Sequence, residues 1–108
     1  GGSTEQMGDA LALGIKNMLG LVCDPVAGLV EVPCVKRNGF GAVAALTAAE
    51  MALAGIRSVI PPDEVIDAMG KIGKLLPESL RETSQAGLAV TPTGQRITEE
   101  LHRKLMGS

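Results

Sequence analysis

The sequence predicts an all-α fold, a compact bundle of about four to five helices with one irregular segment that carries both cysteines. Three observations predict it. Apolar residues recur at helical spacing along most of the chain. Glycines, prolines and capping residues break that pattern at intervals. No run of alternating β-branched residues is long enough for a sheet, since residues 26–32 alternate only weakly and residues 57–60 are a short run.

Ser3-Thr4-Glu5-Gln6 reads as a capping box, with Ser3 as N-cap and Gln6 three residues on. Met7, Leu11, Gly14/Ile15 and Met18 follow on one face, so a first helix is expected over 4–19, stopped by Gly20. Residues 21–38 differ. Cys23-Asp24-Pro25, Gly28 and Pro33-Cys34 sit among Val and Leu, too apolar for a solvated loop and too interrupted for a long helix. Buried irregular backbone of the kind that builds a site is expected there. It has room for a short helical turn at 25–30, with Asp24 as cap and Pro25 in the first position.

Residues 39–54 form a second helix, rich in Ala and apolar on nearly every side, which marks it as central; Gly55 ends it. Pro61-Pro62-Asp63-Glu64 opens a third, whose buried stripe is Val65/Ile66, Met69, Ile72/Gly73 and Leu76. Its acids stand near the N-terminus and Lys71 and Lys74 near the C-terminus, as the helix dipole favours. Pro77-Glu78 starts a short helix to about residue 83, and 85–92 reads as loop. Thr93 is expected to cap a last helix from Gly94 to Met106, with Ile97, Leu101 and Leu105 on its inner face and His102 exposed.

A chain of 108 residues is expected to be a single domain with a modest core. The only aromatic residue is Phe40, so the core is built from Ala, Leu, Val, Ile and Met; small side chains let helices approach and Met fills gaps. The net charge of −2 is dispersed, with no basic patch, which argues against nucleic acid as a partner. The longest apolar stretch, 39–49, falls short of the roughly 20 residues a membrane span requires. The first residues have neither the basic nor the apolar region of a signal peptide, so a cytoplasmic location is expected. There the two cysteines are expected to be reduced, metal-bound or catalytic rather than disulfide-bonded.

Cys23 and Cys34 are eleven positions apart, which on spacing alone is a weak signal: it is not CxxC, and no second pair completes a four-cysteine site. The ordinary alternative is two small buried hydrophobes. The adjacent Pro25 and Pro33 lend rigidity that favours a preformed site.

The stretch Leu-Gly-Leu-Val-Cys-Asp-Pro-Val-Ala-Gly-Leu-Val-Glu-Val-Pro-Cys-Val-Lys-Arg-Asn, residues 19–38, closely resembles the signature of the iron–sulfur-dependent L-serine dehydratases. The resemblance continues through Met51-Ala52-Leu53-Ala54-Gly55-Ile56, Ile60-Pro61, Asp63-Glu64-Val65-Ile66-Asp67-Ala68-Met69, Leu80-Arg81-Glu82-Thr83 and Thr91-Pro92-Thr93-Gly94, in the family's order. Three places depart from the pattern: Gly39-Phe40 after Arg37-Asn38, Ala86 where Gly is usual before Gly87-Leu88-Ala89, and an end without the cysteine some members carry.

That resemblance implies deamination of L-serine to pyruvate and ammonia through loss of water to an aminoacrylate, in amino-acid degradation that feeds gluconeogenesis. It implies a [4Fe–4S] cluster, held by three cysteines and open at the fourth iron, which acts as Lewis acid on the leaving hydroxyl. By position, Cys23 and Cys34 match two of its ligands, and the third lies upstream of this sequence. Arg37 and Asn38 match substrate-binding positions, Arg37 as a clamp for the serine carboxylate and Asn38 for its amino or carboxylate group. Asp24 is expected to cap the following turn or bond near the cluster. Glu82 reads as a solvated helix charge. No residue is assigned as the α-proton base. The resemblance further implies that the chain is the C-terminal part of a larger catalytic alpha domain with a beta chain or domain as partner, and that alone it is inactive. Its apolar faces are expected to promote a homodimer. Two other readings stand beside this one: a zinc or redox-thiol module built on Cys23 and Cys34, and a purely structural or interaction helical module.

Overall fold

A computed structural model describes residues 1–29 and 31–107, the side chains of 31–33 excepted. Among them are four α-helices: α1 (Thr4–Lys16), α2 (Glu31–Leu53), α3 (Pro62–Leu75) and α4 (Pro92–Met106). Short 3₁₀ turns lie at Glu78–Leu80 and Gly87–Val90. The all-α expectation holds, and the extended pairing found among the described residues is one isolated bridge, Val26 to Leu29. No helix among them is long and apolar enough to cross a membrane. The chain divides into two compact units, Gly1–Leu21 with Gly39–Leu75 and Val22–Asn38 with Leu76–Ser108.

In the first unit the capping box forms as read: Ser3 Oγ accepts from Gln6 N at 3.1 Å and Gln6 Oε1 accepts from Ser3 N at 2.9 Å. Helix α1 stops at Lys16, three residues before the expected 19. Asn17 causes this, because its side-chain Nδ2 donates to Leu13 O at 2.8 Å and competes with its own backbone N–H, left at 3.4 Å. Gly20 (φ +77°) lies in the turn that follows rather than at the helix end.

The core is small in its side chains as well as its extent. Leu13 of α1 packs with Ala48 and Ala52 of α2, with Ala10 and Met51 at the margin. Val65 of α3 is 2% exposed. The expectation that the Ala-rich helix is central is corrected: Phe40, Val43 and Leu46 are 75%, 61% and 68% exposed. Leu13 covers only the Ala48/Ala52 stripe. The expected stripe on α3 is narrower too, since Ile66 and Met69 are exposed. Helix α2 ends as expected before Gly55, in a Schellman motif: Ile56 N–H donates to Met51 O and Gly55 N–H to Ala52 O, both at 3.0 Å, with Gly55 at φ +94°.

A charged clamp joins α1 to the loop before α3. The buried Asp9 accepts from Ser58 N at 3.0 Å and from Arg57 Nε at 2.7 Å, and Lys16 Nζ donates to Ser58 O. The hydrogen bond from Ser58 N–H is the main reason the Asp9 carboxyl titrates below its usual value; burial opposes this, and Arg57 and Lys16 reinforce it. Next to the clamped Ser58, Val59 holds φ at +70°, a conformation a β-branched residue adopts only when its surroundings impose it.

In the second unit, Thr91 rather than the expected Thr93 caps α4, its Oγ1 accepting from Gly94 N at 3.0 Å. Pro92 explains the shift: it pushes the preceding residue into extended backbone (Thr91 φ −68°, ψ 155°) and itself suits the first helical position. The segment after Glu78–Leu80 is not helical to 83, and a 3₁₀ turn stands where 85–92 was read as loop.

The larger correction concerns the irregular segment. Helix α2 starts at Glu31, eight residues earlier than expected, so Cys34, Arg37 and Asn38 are helical. Pro33 does not prevent this because it falls in the first turn, where a backbone N–H has no helical partner to lose. The expected helical turn at 25–30 is instead a tight reversal. Val26 and Leu29 exchange both backbone hydrogen bonds (3.0 and 2.9 Å), with Ala27 and Gly28 at φ +55° and +73°. Those signs are those of a mirror-image hairpin turn. Val30 lies outside the described residues.

Two outcomes follow for the first unit. Val65→Ala removes two buried methyl groups and should lower stability by about 2 kcal/mol in urea unfolding. Asp9, with its pKa depressed in the folded state, contributes stability that is complete above its unfolded value and lost as pH falls through the lower folded one. Below about pH 4, melting of the parent should therefore fall more steeply than that of Asp9→Asn; parallel curves would remove Asp9 as the acid-sensitive group.

Candidate functional site

Cys23 stands outside any helix or strand just before the Val26–Leu29 reversal, and Cys34 in the opening of α2 just after it. The reversal folds the chain back on itself, and the two Sγ atoms come within 3.6 Å. Both thiols are free and half-buried. A disulfide would need about 2.05 Å, so this is a pair of thiols in contact. Two thiolates on one tetrahedral ion, with bonds of ~2.3 Å, stand ~3.8 Å apart, so the pair lies within ligand range of a single centre.

Arg37 and Asn38 follow Cys34 by three and four positions, which puts them on its side of α2. Arg37 Nη1 donates to Val22 O, the carbonyl next to Cys23. Asn38 Nδ2 donates back to Cys34 O at 3.0 Å and its residue is exposed. The structure thus brings Cys23 and Cys34 into contact and ties Arg37 to the peptide before Cys23, with Asn38 at the edge.

A second loop meets this segment, which sequence reasoning missed. Asp24 caps no turn of its own; its Oδ1 and Oδ2 accept from Leu88 N at 3.0 and 3.1 Å, a reach of 64 residues. Ser84 Oγ donates to Pro25 O at 3.2 Å. Glu82 is exposed, as expected of a solvated charge, but it is not helical: it follows the first 3₁₀ turn, and its carboxylate lies close enough to the Cys23 thiol to act on its ionisation. The Glu82 carboxylate disfavours a thiolate at Cys23, as do the Cys34 thiol and burial, and together they push the Cys23 pKa up to about 12. Ala27, Glu82 and Ser84 all hold positive φ, so three of the four such non-glycine residues among those described lie in these two loops. Strain of this sort collects at functional sites. The one available signal is the polar run Glu82-Thr83-Ser84-Gln85 shortly before Gly87; its long-range partner has none. Thr93 and His102 are exposed.

Thiols are the donors that iron–sulfur clusters and zinc take, so the donor chemistry of this pair fits either; the 3.6 Å spacing is that of one ion, and the sulfurs would have to separate to reach two irons of a cluster. Among the described residues, no set of three or more His, Cys, Asp or Glu forms a group able to hold a metal ion. Elsewhere, a cleft of about 380 Å³ in the first unit is lined by Leu11, Ile15, Met18, Met69 and small residues, with no titratable side chain.

Residues 1–89 match the family model described as serine dehydratase alpha chain. The chain is 63% identical over its whole length to the "Probable L-serine dehydratase, alpha chain" of Bacillus subtilis, covering 36% of that protein. It is 50% identical over 100 residues (93% of this chain, 34% of the relative) to the "L-serine dehydratase, alpha chain" of Peptoniphilus asaccharolyticus. It is 46% identical over 91 residues (83% and 20%) to "L-serine dehydratase 1" of Escherichia coli. The chain thus spans about a third of the length of the first and second of these. No solved structure matches.

Because the thiolate is the nucleophile, Cys23 in the metal-free protein should resist iodoacetamide at pH 8 and react fully only as pH nears its raised value of about 12. Glu82→Gln removes the first cause of that shift and should move the profile to lower pH. Superimposable profiles for parent and variant would show that Glu82 does not govern the thiol.

Proposed function

The chain belongs to the serine dehydratase alpha-chain family, and on that premise we propose that it supplies two cluster ligands and part of the substrate pocket of an iron–sulfur-dependent L-serine dehydratase. The observation that supports this reading is that the fold brings Cys23 and Cys34 together, eleven positions apart in sequence, with Arg37 tied to the peptide before Cys23; the two sulfurs would part from their 3.6 Å contact to hold two different irons. When bound, a [4Fe–4S] cluster supplies a Lewis acid for the hydroxyl that L-serine loses on its way to pyruvate and ammonia. Cys23 and Cys34 would hold it as thiolates, each giving up its proton on loading.

Arg37 would bind the serine carboxylate with the N–H groups that do not serve Val22 O. The Asn38 side chain, half engaged by Cys34 O, keeps an amide oxygen for the substrate ammonium. Half-burial of both thiols limits water around the leaving group. The third ligand and the base that takes the α-proton belong to the rest of the alpha chain, so this segment alone is proposed to be inactive. The proposal keeps residues 1–108 as one part of a larger catalytic alpha domain, with a beta chain or domain beside it and the cytoplasm as a compartment that keeps its thiols reduced. The exposed Phe40, Val43 and Leu46 support self-association into a homodimer.

A zinc or redox-thiol module is the second reading, favoured by one observation: 3.6 Å suits two ligands of one ion. The deciding experiment uses full-length protein, purified without oxygen, with Cys23→Ala and Cys34→Ala alongside. About four irons with matching sulfide, and pyruvate formation from L-serine that falls at least about a hundredfold in each variant, would support the dehydratase reading. Zinc without sulfide would replace it with the second, and activity indifferent to both substitutions would overturn the cluster assignment. Light scattering that returns a monomer would remove the homodimer.

A further inference from the structure

Cys23 stands in a segment without helix or strand to hold it, so its direction depends on what its neighbours are tied to. Val22 O is held by Arg37 and Pro25 O by Ser84. Between them, Asp24 places both carboxylate oxygens on one backbone N–H, that of Leu88, at 3.0 and 3.1 Å. The contact is built from both sides. Gly87, at φ +73°, lies so close that a Cβ there would stand 2.5 and 2.7 Å from the same two oxygens. No carbon tolerates that approach, and a side chain is strained at that φ in any case. Only a glycine at 87 lets the loop present its next N–H to Asp24.

We propose that Asp24 is the positioning residue for Cys23: latched on Leu88 N–H over Gly87, it aims the Cys23 thiol at Cys34. Asp24 touches neither substrate nor metal in this role. It acts through the backbone it shares with Cys23, and the acceptor oxygen rather than the negative charge is what the latch uses. The inference rests on the dehydratase reading only for the purpose of the thiol pair, and its test reads geometry.

The experiment uses metal-free full-length protein carrying Asp24→Ala, Asp24→Asn or Gly87→Ala. Diamide closes the Cys23–Cys34 disulfide: the thiols lose two protons and two electrons, which its N=N bond takes up to become a hydrazine, and mass spectrometry follows the rate. Asp24→Ala and Gly87→Ala should each slow pairing about tenfold, the size of one net hydrogen bond. Asp24→Asn keeps an acceptor oxygen and should restore the parental rate within about twofold. Alkylation of Cys34 in a Cys23→Ala background should stay unchanged in all three, which a general loosening of the fold would not allow. Should Asp24→Ala fail to fold, Gly87→Ala decides alone, because it leaves every donor and acceptor in place. Parental pairing in Gly87→Ala, or an asparagine variant as slow as alanine, overturns the proposal. Iron and sulfide measured on the same proteins keep the readings apart: a parent that binds no iron sinks the cluster and leaves the latch to the pairing rates.

Discussion

Irregular backbone that is not bathed in water must find partners for its N–H and C=O groups, and around Cys23 those partners come from outside the segment. Val22 O goes to Arg37, Pro25 O to Ser84, and Val26 and Leu29 satisfy each other across the reversal. The N–H of Leu88 finds no backbone acceptor in its own turn and takes the Asp24 carboxylate. The second unit is therefore held by cross-links between two loops more than by a core of large side chains. Its loops carry three residues at strained positive φ, a cost that such bonds must offset.

The first unit meets the same demand differently. Its loop before α3 is fixed by charge: Asp9 holds the Ser58 N–H while Lys16 holds the Ser58 carbonyl, so both polar groups of one peptide neighbourhood are tied to α1. Charge-assisted bonds of this kind outweigh neutral ones, whereas the exposed Arg57–Glu5 pair, 61% and 68% accessible, adds little. With Leu13, Ala48 and Ala52 forming the core cluster among the described residues, such a clamp matters more than it would beneath a large aromatic core.

How much of this was legible depended on the range of the interaction. The capping box at Ser3, the Gly55 stop and the Pro62 start were readable because their causes lie within one helical turn. The start of α2 was misread because two prolines near the cysteines look like breakers, although a first-turn proline loses no bond. The cap of α4 stands two residues before Thr93 because Pro92 fixes Thr91 in extended backbone, an effect carried by the Thr91-Pro92 pair and not by either residue alone. The cysteine pair and its neighbours on α2 were nameable from the motif, but Glu82, Ser84 and Leu88 were not. They meet Cys23, Pro25 and Asp24 across 59 to 64 positions, and no local pattern encodes such a meeting.

The choice of arginine at 37 draws these strands together. One guanidinium nitrogen is committed to Val22 O, which steadies the backbone beside one thiol, while α2 carries the other thiol three residues earlier. A lysine has a single ammonium at the end of a flexible stem; engaged by that carbonyl, it has no second, rigidly spaced pair of donors for a planar acceptor. The guanidinium has five N–H groups in a fixed fork, so holding Val22 leaves others directed elsewhere. A side chain that orients the cysteine segment and, on the proposed reading, presents donors to a carboxylate would couple the geometry of the thiols to the pose of what binds beside them. In that arrangement the positions read as ligand and as substrate contact are one mechanical unit, and a change at Arg37 reaches Cys23 through the Val22 peptide.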